Sequence, residues 1–286
     1  MKPYLRLIRL HQWHKNAFVL LGFFLLGDYA NSTLLLHSVL AALTFCFISS
    51  AVYIINDLVD SRSDRHHPIK KNRPLAAGTV RHGVVYTLLI LLITAGFSLA
   101  FLVGIKIVVI ITVYLLNNLL YSFFTKKLAI IDVFQIAFGF MLRIFAGTVG
   151  VGIFISEWMV ITGFMLSLLI GFAKRFVELA NAKHPRLQRA ALKFYARDTL
   201  QSFIVIMAAA TIITYGLYTL SPRSIRIHDT TQLIYTAPLV VFGVLRFVFL
   251  TFAATSDEDP ATYLRSDTQL LSVIVLWTLS YGFIIA

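Results

Sequence analysis

The sequence predicts an all-α integral membrane protein with nine transmembrane helices. Hydrophobic residues make up 58% of the 286 residues and charged residues only 13%, against about 25% in a typical soluble domain. The apolar residues run in long stretches that do not alternate with polar residues, which favours membrane helices and excludes a β-barrel. The net charge of +12 is concentrated in the short segments between these stretches.

Each apolar stretch approaches the roughly 20 residues that a helix needs to cross a hydrocarbon core of about 30 Å. The nine predicted helices cover residues 16–34, 37–56, 84–103, 107–123, 129–150, 158–176, 198–220, 233–252 and 268–286. No soluble domain interrupts them, so we expect residues 1–286 to form a single transmembrane domain. Two long loops, 57–83 and 177–197, lie four helices apart and suggest two four-helix halves followed by a ninth helix.

The distribution of Lys and Arg predicts the orientation, because short cytoplasmic loops are rich in these residues. Twenty of them fall on the side of the N-terminus and three on the opposite side. This bias predicts a cytoplasmic N-terminus and an external C-terminus in a plasma membrane of the bacterial inner-membrane type, with membrane lipids as partners. It also accounts for the basic charge without a nucleic-acid partner. The single cysteine, Cys46, excludes an intrachain disulfide.

An acidic cluster follows the second predicted helix, in the stretch NDLVDSRSDRHHPIKKNRPLAAG. Asn56, Asp60 and Asp64 are spaced by four residues and Asp57 precedes Asp64 by seven, so a continuing helix places all four on one face. Clustered carboxylates near a bilayer need positive partners. Mg²⁺ prefers oxygen ligands and commonly takes one or two carboxylates together with water and substrate phosphates. The stretch therefore predicts a Mg²⁺–phosphate site at the cytoplasmic end of this helix.

Cations follow the acidic cluster at loop distance. Lys70, Lys71 and Arg73 suit a polyphosphate when a metal ion is also present. A plain cytoplasmic loop would explain these cations, but it would not explain aspartates in helical register. We interpret His66 and His67 as loop polarity.

The quoted residues resemble a known family. NDLVDSRSD followed by RPLAAG resembles the N-D-x-x-D-x-x-x-D motif of the UbiA superfamily of intramembrane prenyltransferases. The resemblance implies nine helices around a central cavity and a Mg²⁺ cofactor that holds a phosphorylated substrate. It also implies that Asp57, Asp60 and Asp64 are the catalytic, metal-binding residues.

A second acidic motif, D-x-x-x-D, is typical of superfamily members with aromatic acceptors. The stretch taken to correspond to it, YSFFTKKLAIIDVFQ, keeps Asp132 but has Ile136 four residues later, and Lys126 and Lys127 precede it. RLHQWHKN, KRFVEL and EDPATYLRSD resemble the decaprenyl-phosphate phosphoribosyltransferase-like branch, although Leu10 stands where that branch has proline. That branch joins a polyprenyl phosphate to C1 of 5-phosphoribosyl 1-diphosphate and releases pyrophosphate.

The resemblance implies the roles of the other site residues. Asn56 and Tyr121 are expected to orient the donor through neutral hydrogen bonds. Asp132 is expected to order the cations or to bind ribose hydroxyls. The full set of candidate substrate-binding residues is Asn56, Lys15, Lys70, Arg73, Tyr121, Lys126, Asp132, Arg143, Lys174 and Arg175.

Simpler interpretations exist for several of these features. Trp13 and its basic neighbours are also typical of an interfacial anchor, and His11 with His14 has no third metal ligand nearby. Arg175 and Glu178 have the spacing of an internal helix pair. Two other functions also remain open. Transfer of an isoprenoid chain from its diphosphate to an aromatic or other acceptor would require a complete second acidic motif. A transporter would require charges near the membrane midplane.

Overall fold

The computed structural model describes residues 2–65, 70–180, 190–253 and 260–285, and all regular secondary structure in these ranges is helical. The histidines at 66 and 67 and the acidic pair at 258 and 259 lie outside the described residues. The α-helices are α1 (Lys2–Ile8), α2 (Leu21–Leu26), α3 (Ser32–Asp64), α4 (His82–Val103), α5 (Ile105–Phe123), α6 (Ile131–Ala146), α7 (Glu157–Ala180), α8 (Arg197–Leu220), α9 (Pro222–His228), α10 (Ala237–Ala253), α11 (Tyr263–Ser266) and α12 (Thr268–Ile285). The 3₁₀ segments are Leu10–Leu20, Lys70–Asn72, Thr125–Lys127, Val149–Val151, Ala190–Phe194, Gln232–Thr236 and Pro260–Thr262.

Within the described ranges, eight helical segments are long and apolar enough to cross a membrane. They match the second to the ninth predicted helices, and α3 is much longer than predicted. Its 33 residues extend about 50 Å, which exceeds the thickness of a hydrocarbon core. The predicted α-helix at 16–34 is wrong: this region contains part of a 3₁₀ segment, then α2 and the start of α3. The helical segment ends before Gly27, whose φ is +78°, and the side chain of Asn31 caps the start of α3. The nine-helix count is therefore not confirmed.

The chain divides into two compact units. The first contains Met1–Phe24, Asp28–Lys126 and Leu142–Ile153, and the second contains Leu25–Gly27, Lys127–Met141 and Phe154–Ala286. In the first unit, α3 packs against α4 and α5, and its buried core includes Phe45, Ile48, Ile107 and Ile111.

The segment Leu10–Leu20 runs antiparallel to α3 in the first unit. Trp13 donates to the Ser50 hydroxyl, and Asn16 donates to the Ser49 hydroxyl at 3.3 Å. A Cβ on Gly147 would lie 1.6 Å from the carbonyl oxygen of Val19, so the two backbones touch there. Glycine is therefore required where the end of α6 meets this segment.

The second unit is built around the α7–α8 pair. Its core includes Leu169, Phe172 and Ile204, with Val133 from the first turn of α6 packed alongside. A Cβ on Gly171 would lie 2.6 Å from Val133, so the small residue lets α6 approach α7 closely. This packing fixes the position of Asp132, which is fully buried.

Candidate functional site

The polar end of α3 places four candidate residues on one helix, as the spacing predicts. α3 is continuous to Asp64, so Asn56, Asp57 and Asp60 also belong to it. Asp57 and Asp64 are buried, with 3% and 5% of their surface exposed. Buried carboxylates are costly without positive partners. The structure supplies those partners from two other parts of the chain, and a third part supplies a partner for Asp60.

Arg73 joins the two buried carboxylates. Its Nη1 atom donates to Asp57 Oδ1 at 3.1 Å and to Asp64 Oδ2 at 2.8 Å. A single guanidinium nitrogen therefore lies within hydrogen-bonding distance of both aspartates. Hydrogen bonds between charged groups are about twice as strong as neutral ones.

The loop that carries Arg73 is firmly attached to the first unit. The Ala77 amide donates to the Arg73 carbonyl at 2.8 Å, and Leu75 is buried in a core that also contains Ile54. Gly78 has a φ of +68°, a conformation that favours glycine. The stretch RPLAAG thus forms a tight turn that holds the arginine beside the end of α3.

Asp60 has a separate partner. Lys126, which follows α5, donates to Asp60 Oδ1, and both side chains are partly exposed. One turn earlier, Asn56 Oδ1 accepts from the Ser122 hydroxyl at 3.2 Å. The end of α5 therefore lies against the polar end of α3, which brings together two predicted residues that are 66 positions apart.

Arg9 is a residue of this cluster that sequence reasoning missed as a site residue. Its Nη2 donates to Asp57 Oδ1 at 2.6 Å, and its guanidinium lies over the Tyr53 ring, 4.8 Å from the centroid. Its backbone is left-handed, with φ 56°, which is uncommon outside glycine and carries a cost that such sites often bear. The sequence showed Arg9 only as one of many cations near the N-terminus.

The carboxylates suit Mg²⁺ in chemistry, but they are not arranged as a complete metal site. Among the described residues, no three side chains from His, Cys, Asp and Glu converge on one point. Asp57 and Asp64 do converge on one positively charged nitrogen of Arg73, so a cation between them fits the structure. Two carboxylates are what Mg²⁺ commonly takes from a protein when substrate phosphates and water complete its shell.

Arg143 lies in a separate polar cluster of the first unit. It is 5% exposed, and it donates to Asn16 Oδ1 and to the Tyr114 hydroxyl, both at 2.9 Å. The rings of Phe45 and Tyr114 face its guanidinium. Arg143 therefore ties the 3₁₀ segment to α5 and α6. Its predicted role in substrate binding stays a prediction.

The second unit has its own charged cluster. Arg175 donates from Nε to Asp132 Oδ2 and from Nη1 to Glu178 Oε2, each at 2.7 Å. The Arg175–Glu178 helix pair expected from the spacing is present. Asp132 is fully buried and Arg175 is 1% exposed, so Asp132 holds the arginine in place. The contact agrees with a cation-ordering role for Asp132, but this role and the binding of ribose hydroxyls both stay predictions.

Tyr195 also contacts Asp132 and was missed in the sequence. Its hydroxyl donates to Asp132 Oδ1 at 3.0 Å and accepts from the Ile130 amide at 2.5 Å. Ile130 has φ 69°, a left-handed conformation that β-branched residues rarely adopt. Burial raises the pKa of Tyr195, so its hydroxyl stays protonated and able to donate. Tyr195 lies 63 positions after Asp132, so no local sequence pattern indicated this contact.

The other predicted residues lie at known positions without a demonstrated role. Lys15 Nζ donates to Gln12 Oε1 at 3.3 Å, and Lys70 begins the 3₁₀ turn before Arg73. Tyr121 is half-buried on α5 and Lys174 is half-buried on α7. Their predicted contacts with substrate stay predictions.

Comparison with curated proteins gives a consistent group of relatives. The chain is 33% identical over 219 residues to the decaprenyl-phosphate phosphoribosyltransferase of Corynebacterium glutamicum, a match that covers 75% of this chain and 66% of that protein. It is 31% identical over 224 residues to the enzyme of the same name from Mycolicibacterium smegmatis, with 76% and 70% of the two chains covered.

The fold is also found in solved structures. A UbiA homolog from Archaeoglobus fulgidus bound to GPP and Mg²⁺ superposes with a TM-score of 0.74 at 19% identity and covers 99% of both chains. At this identity the likeness establishes the fold. The profile of the UbiA prenyltransferase family matches residues 16–266. The chain therefore belongs to the UbiA prenyltransferase family.

Proposed function

We propose that this membrane protein transfers the 5-phosphoribosyl group from 5-phosphoribosyl 1-diphosphate to a polyprenyl phosphate. An oxygen of the lipid phosphate bonds to ribose C1, the bond from C1 to the diphosphate oxygen breaks, and pyrophosphate leaves with the electron pair. The names of the relatives in C. glutamicum and M. smegmatis support this assignment.

The observation that carries the proposal is the mixed charge at the end of α3. Three carboxylates lie there with Arg9, Arg73 and Lys126. A purely acidic site would repel a diphosphate, and a purely basic site would not hold a metal ion. The combination suits a metal-bound diphosphate, because carboxylates bind the metal while guanidinium and ammonium groups bind phosphate oxygens.

In this proposal Asp57 and Asp64, with Asp60 beside them, would hold Mg²⁺, and the bound ion would offset the negative charge of the diphosphate and so assist its departure. A UbiA homolog solved with GPP and Mg²⁺ supports a divalent metal in the family. Arg73, Lys70 and Lys126 complement the phosphates, and Asn56 with Tyr121 orients the donor. The acceptor phosphate is already anionic at neutral pH, so the residues need not supply a strong general base.

In the second unit, we assign phosphate binding to Lys174 and Arg175. Asp132 and Glu178 fix the Arg175 guanidinium, which prevents it from adopting many rotamers. A preorganised arginine loses less entropy when it binds a phosphate. This unit is also rich in cations along the predicted loop 177–197.

We also propose that the membrane is crossed nine times. The segment Leu10–Leu20 and α2 together extend about 31 Å, because a 3₁₀ helix rises about 2.0 Å per residue and an α-helix 1.5 Å. That length is enough for the missing crossing. The N-terminus and the polar end of α3 then face the cytoplasm of a bacterial-type inner membrane, as the cation bias indicates, and the C-terminus lies outside.

A direct assay tests the proposed reaction. Membranes containing the protein are incubated with Mg²⁺, polyprenyl phosphate and phosphoribosyl diphosphate labelled in the ribose, and the label is measured after extraction into organic solvent. We expect label in the lipid fraction only when both substrates are present. Label that stays in the aqueous phase, together with transfer from an isoprenoid diphosphate to an aromatic acceptor, would assign the chain to prenyl transfer instead.

A further inference from the structure

The guanidinium of Arg73 occupies the position between two carboxylates that the proposed function assigns to Mg²⁺. Its Nη1 atom contacts Asp57 Oδ1 and Asp64 Oδ2, and 27% of its side chain is exposed. The two aspartates are therefore already paired with a positive charge in this structure. A metal ion that binds between these same two oxygen atoms must displace the Arg73 guanidinium from them.

Displacement by a metal ion alone is unfavourable. The displaced guanidinium loses two charge-assisted hydrogen bonds, and two carboxylates do not complete the six-fold shell of Mg²⁺. A metal ion that is already bound to a diphosphate avoids both disadvantages, the incomplete metal shell and the lost hydrogen bonds of the guanidinium. The diphosphate oxygens complete the metal shell, and they also accept hydrogen bonds from the displaced guanidinium.

We propose that Arg73 is a specificity-determining counter-ion, which makes the site take the metal-bound diphosphate and not the free metal ion. The inference rests on the proposed function and names the form in which that site binds its donor. When the metal–diphosphate complex binds, the Arg73 guanidinium gives up its hydrogen bonds to the two aspartates and donates to diphosphate oxygens instead.

The surrounding contacts identify Arg73 as the group that exchanges. Arg9 contacts Asp57 but is also stacked on Tyr53. Arg73 instead contacts both aspartates from a loop whose backbone is held by the Ala77 amide and by buried Leu75. The side chain is therefore able to change partners while the loop keeps its position.

Equilibrium dialysis of the purified full-length protein tests this inference. Mn²⁺ serves as the metal probe, with or without pyrophosphate in both compartments, and the excess Mn²⁺ on the protein side is the bound fraction. Wild type is compared with Arg73→Gln and with Arg73→Lys. The matched control is Arg81→Gln, which removes the same guanidinium charge from an exposed residue eight positions away whose side chain makes no capping hydrogen bond.

We expect wild type and Arg81→Gln to bind Mn²⁺ weakly alone and tightly with pyrophosphate. Arg73→Gln is expected to bind Mn²⁺ alone about tenfold more tightly than wild type, because a competing unit charge is removed, and to gain less from pyrophosphate. Arg73→Lys should also bind Mn²⁺ alone more tightly than wild type, since a compact ammonium lacks the planar fork of arginine. This variant provides the comparison if the glutamine variant does not fold.

Two results would overturn the inference while leaving the metal site intact. The first is a wild-type affinity for Mn²⁺ that is as high without pyrophosphate as with it. The second is an affinity of the Arg73 variants for Mn²⁺ alone that is no higher than that of wild type, in an experiment where wild type does bind Mn²⁺ with pyrophosphate. Absence of Mn²⁺ binding by wild type under both conditions would instead refute the metal site of the proposed function, and the inference with it.

Discussion

At the scale of residues, the aspartates of α3 differ in their surroundings. Asp57 and Asp64 are buried and share Arg73, whereas Asp60 is more exposed and pairs with Lys126. Removing one partner of a buried ion pair leaves an uncompensated charge, which costs more than the loss of a surface pair. The three carboxylates are therefore expected to respond differently to substitution.

Asp57→Asn should lower the proposed phosphoribosyl transfer by about a hundredfold or more, because a metal ion at the proposed site would contribute several kcal/mol to stabilising the transition state. Asp28→Asn is a matched control, since Asp28 is exposed in the loop between α2 and α3. Activity with saturating substrates and the yield of extractable protein are measured together. A folded Asp57→Asn protein that keeps most of its Mg²⁺-dependent activity would contradict the metal assignment. A chelator should abolish the activity of wild type.

Lys126→Ala should raise the apparent KM for phosphoribosyl diphosphate much more than the KM for the lipid acceptor. One charge-assisted phosphate contact contributes about 1.5–3 kcal/mol, so kcat/KM should fall roughly ten- to a hundredfold. Lys127→Ala is the matched control, because Lys127 is exposed and, of these two lysines, it is Lys126 that contacts Asp60. Steady-state kinetics with each substrate varied in turn separate the two effects. Unchanged donor kinetics for Lys126→Ala would leave this lysine a determinant of topology only.

At the scale of elements, the start of α12 illustrates how one carboxylate serves two purposes. Asp267 accepts from the Leu270 amide at 2.8 Å, which caps the helix. It also accepts two hydrogen bonds from Arg246 of α10, at 3.2 and 2.7 Å. The arginine inside the predicted eighth helix thus has a partner that links two elements of the second unit.

This cap predicts a pH-dependent stability. Hydrogen bonding from the Arg246 guanidinium lowers the pKa of Asp267 below its unfolded value of about 3.9. The stabilisation is therefore fully present above about pH 4 and is lost as the pH falls through the lower folded pKa. Asp267→Asn should melt below wild type at pH 7, and the difference in Tm should close in acid. Asp229→Asn, at an exposed turn, is the control, and a difference in Tm that does not narrow as the pH falls below about 4 would contradict the assignment.

At the scale of the whole molecule, each of the two units carries its own charged cluster. The first contains the aspartates of α3, and the second contains Asp132, Arg175 and Glu178. In the first unit, α1 and Arg9 lie at the same end as the loop after α3, because Tyr4 contacts the Arg81 amide. The chain between Arg9 and α3 must therefore return along the length of α3.

Cysteine labelling tests this path. Single cysteines at Arg6 and Asn72 should be shielded from an impermeant thiol reagent in intact cells, and cysteines at Asp28 and Arg226 should react. The expectation follows from the cation bias and from the nine crossings that we propose. Buried Cys46 is the internal control. Labelling of Arg6→Cys and Asp28→Cys alike would show that the 3₁₀ segment does not cross, and labelling at position 72 would invert the orientation.

Sequence reasoning succeeded where the relevant information is local. The four-residue spacing identified the aspartates of α3, and the apolar stretches identified the eight described helical segments that are long and apolar enough to cross a membrane. It failed for Arg9, which meets Asp57 across 48 positions, and for Tyr195, which meets Asp132 across 63. It also failed for Leu10–Leu20, because apolar composition does not distinguish a 3₁₀ helix from an α-helix. Packing against α3 and the close contact at Gly147 determine that segment.

The position of α1 has a practical consequence for handling the protein. α1 is only about 10 Å long, and it leads directly to Arg9 on Asp57. An affinity tag or fluorescent fusion placed ahead of Lys2 would emerge beside the polar end of α3, where it would compete for space with substrates bound at the proposed site. Purification tags and reporter fusions are therefore better attached to the C-terminus, beyond α12.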